Sequence, residues 1–277
     1  MNTQPTITEI KNFLAEDIGS GDITASIIPS STLAKANVMT REKMVLCGQA
    51  WFDSVFKILN PDISIHWFKT EGDVCDENTL LCELNGPARD LLTGERTALN
   101  LLQTLSSTAS TARQYADAIS ATQCKVLDTR KTIPGLRNAQ KYAVACGGGV
   151  NHRTGLYDGV LIKENHIMAA GSIALAISEA RKITDVMVEV EVESLDEYQQ
   201  AIAAKPDRIM LDNFSNTDMK TAVAQNHGNI ELEASGDITL ETIAEVAETG
   251  VDFISIGALT KHVKAVDLSM RIIMETE

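Results

Sequence analysis

The stretch DVMVEVEVESLDEYQQAIAAKPDRIMLDNF, residues 185–214, holds one complete repeat of the chain's second half. It opens on DVMVEVEV (185–192), rich in β-branched residues and therefore strand-forming. Ser194 then offers an N-cap to SLDEYQQAIAA, a helical composition, and the apolar run DRIMLD (207–212) follows as a second strand. Strand, helix and strand in this order form a parallel pair joined by a crossover. The pattern extends outward to KVLD (125–128) and GVLIK (159–163) upstream, and to NIELEAS (229–235) and DFISIG (252–257) downstream. SIALAISEARK, NTDMKTAVAQN and TLETIAEVAETG lie between them, with Ser172, Asn216 and Thr239 as N-cap candidates. The last four strands start at residues 185, 207, 229 and 252, about 22 apart, the length of one strand–helix unit.

Two parallel architectures fit such alternation. An open nucleotide-binding sheet calls for Gly-x-Gly-x-x-Gly after its first strand, which KVLDTRKTIPG lacks. The CGGGV run (146–150) follows a helical segment and reads as a helix end or loop. A barrel explains where the polar residues fall, because almost every strand ends in them: Asp128 with Arg130 and Lys131, Lys163 with Glu164 and Asn165, Glu191 and Glu193, Asp212 with Asn213, Ser235 with Gly236, and Gly257. In a barrel these ends converge on one mouth. Six strands are clear and a seventh is open.

Ahead of this region, TITEIKNFLAE (6–16) has helical spacing with Thr6 as its N-cap candidate, and DIGSGDITASIIP is turn chemistry. From Leu33 to Leu84, short β-rich pieces surround one helical piece, AWFDSVFKIL, as in an α+β module. EGDVCDENTLLCEL resembles the turns of a small sandwich, and the lack of a lysine at its tip disfavours a lipoyl-type carrier. After Pro87 a long helix runs from Ala88 to about Ser120 with Leu91, Leu92, Leu99, Leu102 and Leu105 on one face. Arg96 stands among apolar neighbours there, and by itself reads as an arginine reaching for solvent.

Net charge −14 and pI near 4.8 oppose binding to nucleic acid or anionic lipid. The five cysteines show no Cys-x-x-Cys and no zinc-finger spacing, and read as reduced core thiols. A polar N-terminus and the lack of a long apolar run lead to the expectation of a cytoplasmic protein. Against this acidic background, residues 130–163 carry Arg130, Lys131, Arg137, Lys141, Arg153 and Lys163 with one acid, Asp158. Such a run is either a solvated basic patch or the seat of an anion.

At the mouth, Arg130, Lys131, Arg153 and Lys163 form a cationic rim suited to several carboxylates or phosphates. Glu191 and Asp212 form an anionic rim suited to Mg²⁺ or ribose hydroxyls. Ser235–Gly236 and Gly257 let backbone N–H groups approach a phosphate. Duller readings stand beside these: Glu189, Glu191 and Glu193 as a solvated strand edge, and Asp212–Asn213 as a helix cap. Lys163 has a Schiff-base alternative, which Glu164 opposes. His152 beside Arg153 reads as a donor to an anion, and His66, His166, His227 and His262 are given no metal.

GDIT, ERTALNLLQ, TRKTIPGLR, NHRTGLYDGVLIKENH, EVEVES, IMLDNF, EASGDI and ISIGALT occur in this order along the chain. The ordered set resembles the quinolinate phosphoribosyltransferase family over essentially the whole chain. The resemblance implies an α/β protein with an N-terminal α/β sandwich (1–115, with 266–277 returning to it) and an open, incomplete α/β barrel (116–265). It implies transfer of a phosphoribosyl group from phosphoribosyl pyrophosphate to quinolinate with loss of CO2, giving nicotinate mononucleotide for NAD synthesis. Carried over by position, Arg130, Lys131, His152, Arg153 and Lys163 would hold the diacid. Glu191 and Asp212 would hold the ribose hydroxyls and Mg²⁺, with Ser235, Gly236 and Gly257 near the phosphates; Lys131, Lys163, Glu191 and Asp212 form the catalytic set. A homodimer is implied, with Arg96 reaching the partner's mouth, and a higher oligomer is left open. Departures are SSTAS at 106–110 in place of a Ser-Gly-Ile-Ala-Thr run, Asp237 in place of a small residue, and Lys261–His262; they touch the phosphate contacts and not the reaction class. A sister transferase for another aromatic acid such as nicotinate, and a non-catalytic anion-binding module, are the alternatives. A doubled cationic set favours a diacid, since a monoacid leaves buried charge unpaired.

Overall fold

The computed structural model describes residues 4–227 and 230–274, and the parts of the spans read above that fall on 1–3, 228–229 and 275–277 lie outside it. Thr6 opens helix α1 (Ile7–Ile18) with a capping box, its hydroxyl accepting from the Glu9 N–H while the Glu9 carboxylate accepts from the Thr6 N–H. Then come β1 (Leu33–Thr40), β2 (Met44–Val45), α2 (Gln49–Leu59), β3 (Ser64–Trp67), β4 (Val74–Cys75), β5 (Leu80–Pro87) and the long α3 (Ala88–Ala118). The alternating half follows as β6 (Lys125–Leu127), α4 (Arg137–Cys146), β7 (Val160–Ile162), α5 (Glu164–Ala170), α6 (Ile173–Ile183), β8 (Val188–Val192), α7 (Leu195–Ala204) and β9 (Arg208–Asp212). It ends with α8 (Asn216–Gln225), β10 (Glu231–Ser235), α9 (Ile243–Ala247), β11 (Phe253–Ser255), α10 (Ala258–Lys261) and β12 (Leu268–Met274).

The chain groups into two compact units: residues up to Thr111 with Asn138–Gly147 and His262 onward, and Ala112–Arg137 with Gly148–Lys261. In the first, four antiparallel strands are ordered β12-β1-β5-β3, so the C-terminal segment returns as an edge strand, with Val38 opposite Met270. β1 alternates faces, and Ala34, Ala36 and Val38 turn to the core with Phe52, Phe56, Leu84, Leu91 and Leu99. Each such aromatic or leucine side chain contributes on the order of 2 kcal/mol by leaving water.

In the second unit six parallel strands are ordered β6-β11-β10-β9-β8-β7. Taken as a ring, this is the chain order with one interruption: β6 pairs with β11, and β7 pairs with β8. The α/β class with an open barrel follows, the opening lying between β6 and β7. Ser172 and Ser194 cap α6 and α7 by accepting from Leu175 N and Glu197 N. Two caps fall one place or more from their expected residues. Ser215, not Asn216, caps α8, because its hydroxyl reaches Asp218 N (3.1 Å) at the favoured spacing. α9 starts after Thr242 and not at Thr239, since the Thr242 hydroxyl accepts from the Thr239 N–H and folds that turn back. Among the described residues no helix is long and apolar enough to cross a membrane.

Candidate active site

Two basic loops are laced together beyond the end of β6. Asp128 is fully buried, and its carboxylate accepts from the His152 N–H (2.9 Å) and the Asn151 side-chain amide (2.5 Å). The Arg137 guanidinium bridges the same loops, donating to Thr132 Oγ1 (3.0 Å), the Thr154 carbonyl (3.3 Å) and the Arg130 carbonyl (3.4 Å). Asp158 folds the second loop by accepting from the N–H groups of Thr154 and Gly155.

This lacing brings two cations into one neighbourhood. Burial and the nearby Arg130 charge hold the Arg153 guanidinium below its usual range. Among the described residues the Arg153 guanidinium donates one bond, to the Gly159 carbonyl (3.1 Å), whereas Arg130 Nε is buried with no hydrogen-bond partner. Lys131 lies across Gly257: a Cβ built on that glycine would come within 3.0 Å of Lys131 Cδ. The Lys131 backbone is fixed from the same side by the Thr260 hydroxyl, which donates to its carbonyl (2.9 Å).

Below this rim runs a polar network that the sequence reading missed. His152 Nδ1 accepts from the Arg153 N–H (2.8 Å), so Nε2 carries the proton and faces Glu189 Oε2 at 2.8 Å and Glu233 Oε2 at 3.5 Å. Both glutamates are 0% exposed. Burial pushes Glu189 up to about 7 and Glu233 up to about 8. Arg208 donates to Glu233 (3.3 Å) and Glu231 (2.7 Å) and lies 4.1 Å over the Phe253 ring. The available signal was charge inside β8, β9 and β10: interior parallel strands read as near-continuous apolar runs, so charges of both signs within them must meet.

The anionic rim is built from neighbouring strand ends. Lys163 Nζ donates to Glu191 Oε2 at 2.5 Å, with the Glu191 side chain 9% exposed. The ion pair ties the Lys163 side chain to Glu191, which opposes the Schiff-base alternative. Glu189 and Glu191 are buried, which removes the solvated-edge reading for both, while Glu193 is exposed. Carboxylate oxygens of Glu164, Glu191 and Glu193 lie within 4.8 Å of one another beside a cavity of about 420 Å³. Hard oxygen donors in an acidic cavity fit a cation such as Mg²⁺, and of the two residues expected to hold it Glu191 belongs to this group and Asp212 does not. Asp212 accepts from the Asn213 amide (2.8 Å) and is no helix cap, since Ser215 serves α8. Asn213 has φ +55 and donates its N–H to the Ser235 carbonyl (2.9 Å). Gly236, at φ +106, lies so close that a Cβ there would collide with Asn213 Oδ1; the next residue, Asp237, has φ +39. The structure thus brings Asp212, Asn213, Ser235 and Gly236 together, as it does Arg130 with Arg153 and Lys131 with Gly257. Arg96 is exposed on α3, in the first unit.

Known proteins resemble this chain along nearly its full length. A protein of Bacillus subtilis described as a probable carboxylating nicotinate-nucleotide pyrophosphorylase is 42% identical over 270 residues, covering 97% of this chain and 93% of its own. A chloroplastic carboxylating nicotinate-nucleotide pyrophosphorylase of Arabidopsis thaliana is 39% identical, covering 95% of this chain and 81% of its own. The solved structure of the nicotinate-nucleotide pyrophosphorylase from Francisella tularensis superposes with a TM-score of 0.94 at 48% identity, covering 98% of each chain. Residues 22–106 match the N-terminal domain of quinolinate phosphoribosyl transferase and residues 108–271 match its C-terminal domain. With both domains matched in order, and the paired cationic and carboxylate strand ends in place, the chain belongs to the quinolinate phosphoribosyltransferase family.

Proposed function

We infer that this chain transfers the phosphoribosyl group of phosphoribosyl pyrophosphate to quinolinate and releases CO2 and pyrophosphate, leaving nicotinate mononucleotide for NAD synthesis. The observation that carries the substrate choice is the Arg130–Arg153 pair: two guanidiniums near enough for one charge to disfavour the other, Arg130 with a buried Nε that has no partner among the described residues. A dianion relieves both defects at once, and a monoacid relieves one.

In this reading Arg130 and Arg153 grip the two carboxylates of quinolinate and aim its ring nitrogen at the ribose. His152, expected to hold the diacid with them, is assigned a positioning role instead, because its ring nitrogens are already engaged with the Arg153 backbone and Glu189. Glu191 and Asp212 hold the ribose hydroxyls, and Ser235, Gly236 and Gly257 receive phosphate oxygens through their backbone. The bond from ribose C1 to pyrophosphate breaks as the ring nitrogen supplies the new electron pair. Lys131 and Lys163 meet the charge that develops on the departing group. Bound Mg²⁺, held by Glu191 and Asp212, would supply further neutralisation of pyrophosphate. The pyridinium then accepts the electron pair of the adjacent carbon–carboxylate bond, CO2 leaves, and a solvent proton replaces it on the ring.

We further propose an N-terminal sandwich of 1–115 rejoined by 266–277, a catalytic barrel of 116–265, a cytoplasmic location, and a homodimer in which Arg96 completes the partner's site. The exposure of Arg96 supports the last point. The test is release of CO2 from carboxyl-labelled quinolinate with phosphoribosyl pyrophosphate and Mg²⁺, beside Arg130→Ala. Release that needs all three components and collapses in the variant is the expected outcome. Turnover of nicotinate instead would transfer the assignment to the sister activity, and silence on both acids would leave an anion-binding module.

A further inference from the structure

The first unit holds a second cluster of reactive groups that this reaction does not use. Cys47, Glu71 and Cys146 place their sulfur and carboxylate oxygen atoms within 4.8 Å of one another. Cys47 is fully buried and pinned by Ser106, whose hydroxyl accepts from the Cys47 N–H (3.0 Å) and donates to the Cys47 carbonyl (3.1 Å). Glu71 is fixed as well, accepting from the N–H groups of Gly48 (2.9 Å) and Gln49 (2.7 Å) at the start of α2. Cys146 is different: it is partly exposed, ends α4, and precedes Gly147, Gly148 and Gly149, with Gly148 at φ +96. One sulfur is held still, and the other stands at a helix end where the chain has room to adjust.

We propose that Cys47 and Cys146 are a reversible dithiol–disulfide pair, closed by glutathione disulfide as oxidant. The two thiols are unequal in the way the exchange requires. Burial holds Cys47 up as the thiol, while hydrogen bonds from Cys47 and Tyr142 bring Cys146 below its usual range. Cys146, accessible and the better thiolate, attacks one sulfur of glutathione disulfide, releases one glutathione and forms a mixed disulfide. Cys47 then passes its proton to the Glu71 carboxylate, whose basicity burial raises, and attacks Cys146 Sγ. The second glutathione leaves. Two protein thiols have lost two hydrogens and two electrons, and the oxidant has become two glutathione thiols. The bond would fasten the end of α4, the helix that joins the Arg130–Lys131 loop to the His152–Arg153 loop along the chain.

The full chain is equilibrated in glutathione buffers of increasing oxidised fraction, quenched, alkylated and analysed by intact mass and peptide mapping. Loss of two thiols, a mapped Cys47–Cys146 crosslink and full reversal by dithiothreitol are expected. Cys47→Ser stops at one glutathione added on Cys146, and Cys146→Ser forms neither crosslink nor adduct. Glu71→Gln accumulates the mixed disulfide. The proposal is overturned if all five cysteines stay alkylatable at the most oxidising ratio, if wild type stops at the mixed disulfide, or if a different pair is mapped. Co-purified zinc that must be chelated before Cys47 and Cys146 react would also overturn it.

Discussion

Lys163 Nζ and Glu191 Oε2, 2.5 Å apart, join the C-terminal ends of two neighbouring strands and tie the cationic rim to the anionic one. Each group sets the other's position, so they act as a unit. Lys163→Ala and Glu191→Gln are each expected to lower kcat/KM by about 100-fold or more. The double variant falls well short of the product of the two losses, because the second change removes an interaction already broken. Steady-state kinetics on the four proteins check this, and fully multiplicative losses would mean that the residues work independently.

Arg130 offers the sharpest contrast between fork and point charge. Arg130→Lys keeps the cation but loses bidentate geometry, and KM for quinolinate is expected to rise by about 100-fold. Since the substitution does not remove a folding contact of Nε, the melting temperature stays near wild type. Titration calorimetry with quinolinate reads the affinity directly; an unchanged Kd would remove Arg130 from the diacid site.

Glu189 and Glu233 give the fold a pH dependence of definite sign. Burial raises both above the 4.5 of an ordinary glutamate, to about 7 and about 8, so the native state holds more protons than the unfolded chain in between. Their protonated-state stability is complete below pH 4.5 and is lost as pH climbs through 7 and 8. Glu233→Gln has no such proton to release, and its melting temperature should fall less between about pH 5.5 and about pH 8.5 than that of wild type. Parallel thermal scans decide; identical slopes would show that the pair ionises without cost.

Gly236 is required twice, by its φ of +106 and by the collision that a methyl on its Cα would make with Asn213 Oδ1. Gly236→Ala is expected to cost about 1–3 kcal/mol of stability and to raise KM for phosphoribosyl pyrophosphate, as the Asp212–Asn213 turn is pushed away. Urea unfolding with kinetics on the same sample measures both, and a variant as stable as wild type would show that the turn yields freely.

Much of this was legible from periodicity. Ser194 at the head of SLDEYQQAIAA marked a helix start because capping is local, and the strand ends at Asp128, Lys163, Glu191 and Asp212 could be gathered because parallel topology sends them one way. What lay hidden depended on side-chain direction. His152 reads as a rim residue until its ring is seen between the Arg153 N–H and Glu189. Glu189 and Glu233 stand 44 residues apart by number (233 − 189), and Arg208 between them belongs to another strand, so no local pattern announces their meeting. Cys47 and Cys146 are farther apart still, and spacing rules for thiols operate over a few residues only.

The interruption between β6 and β7 has a bearing on how such a protein can vary. In a closed ring of strands, tilt and stagger are coupled around the whole circumference, and a change in one connection is felt by every pair. Here the connection that carries Arg130, Lys131, His152 and Arg153 spans the one place where no ladder must close. Within it Val150 alone joins the sheet, bridging Leu127 at the edge of β6, and the loops on either side of that bridge are free of sheet register. A change of length in the loops at 129–136 or 152–159 would leave the strand pairings from β7 round to β6 in alignment, which makes these two loops the inexpensive place for this chain's acid specificity to change.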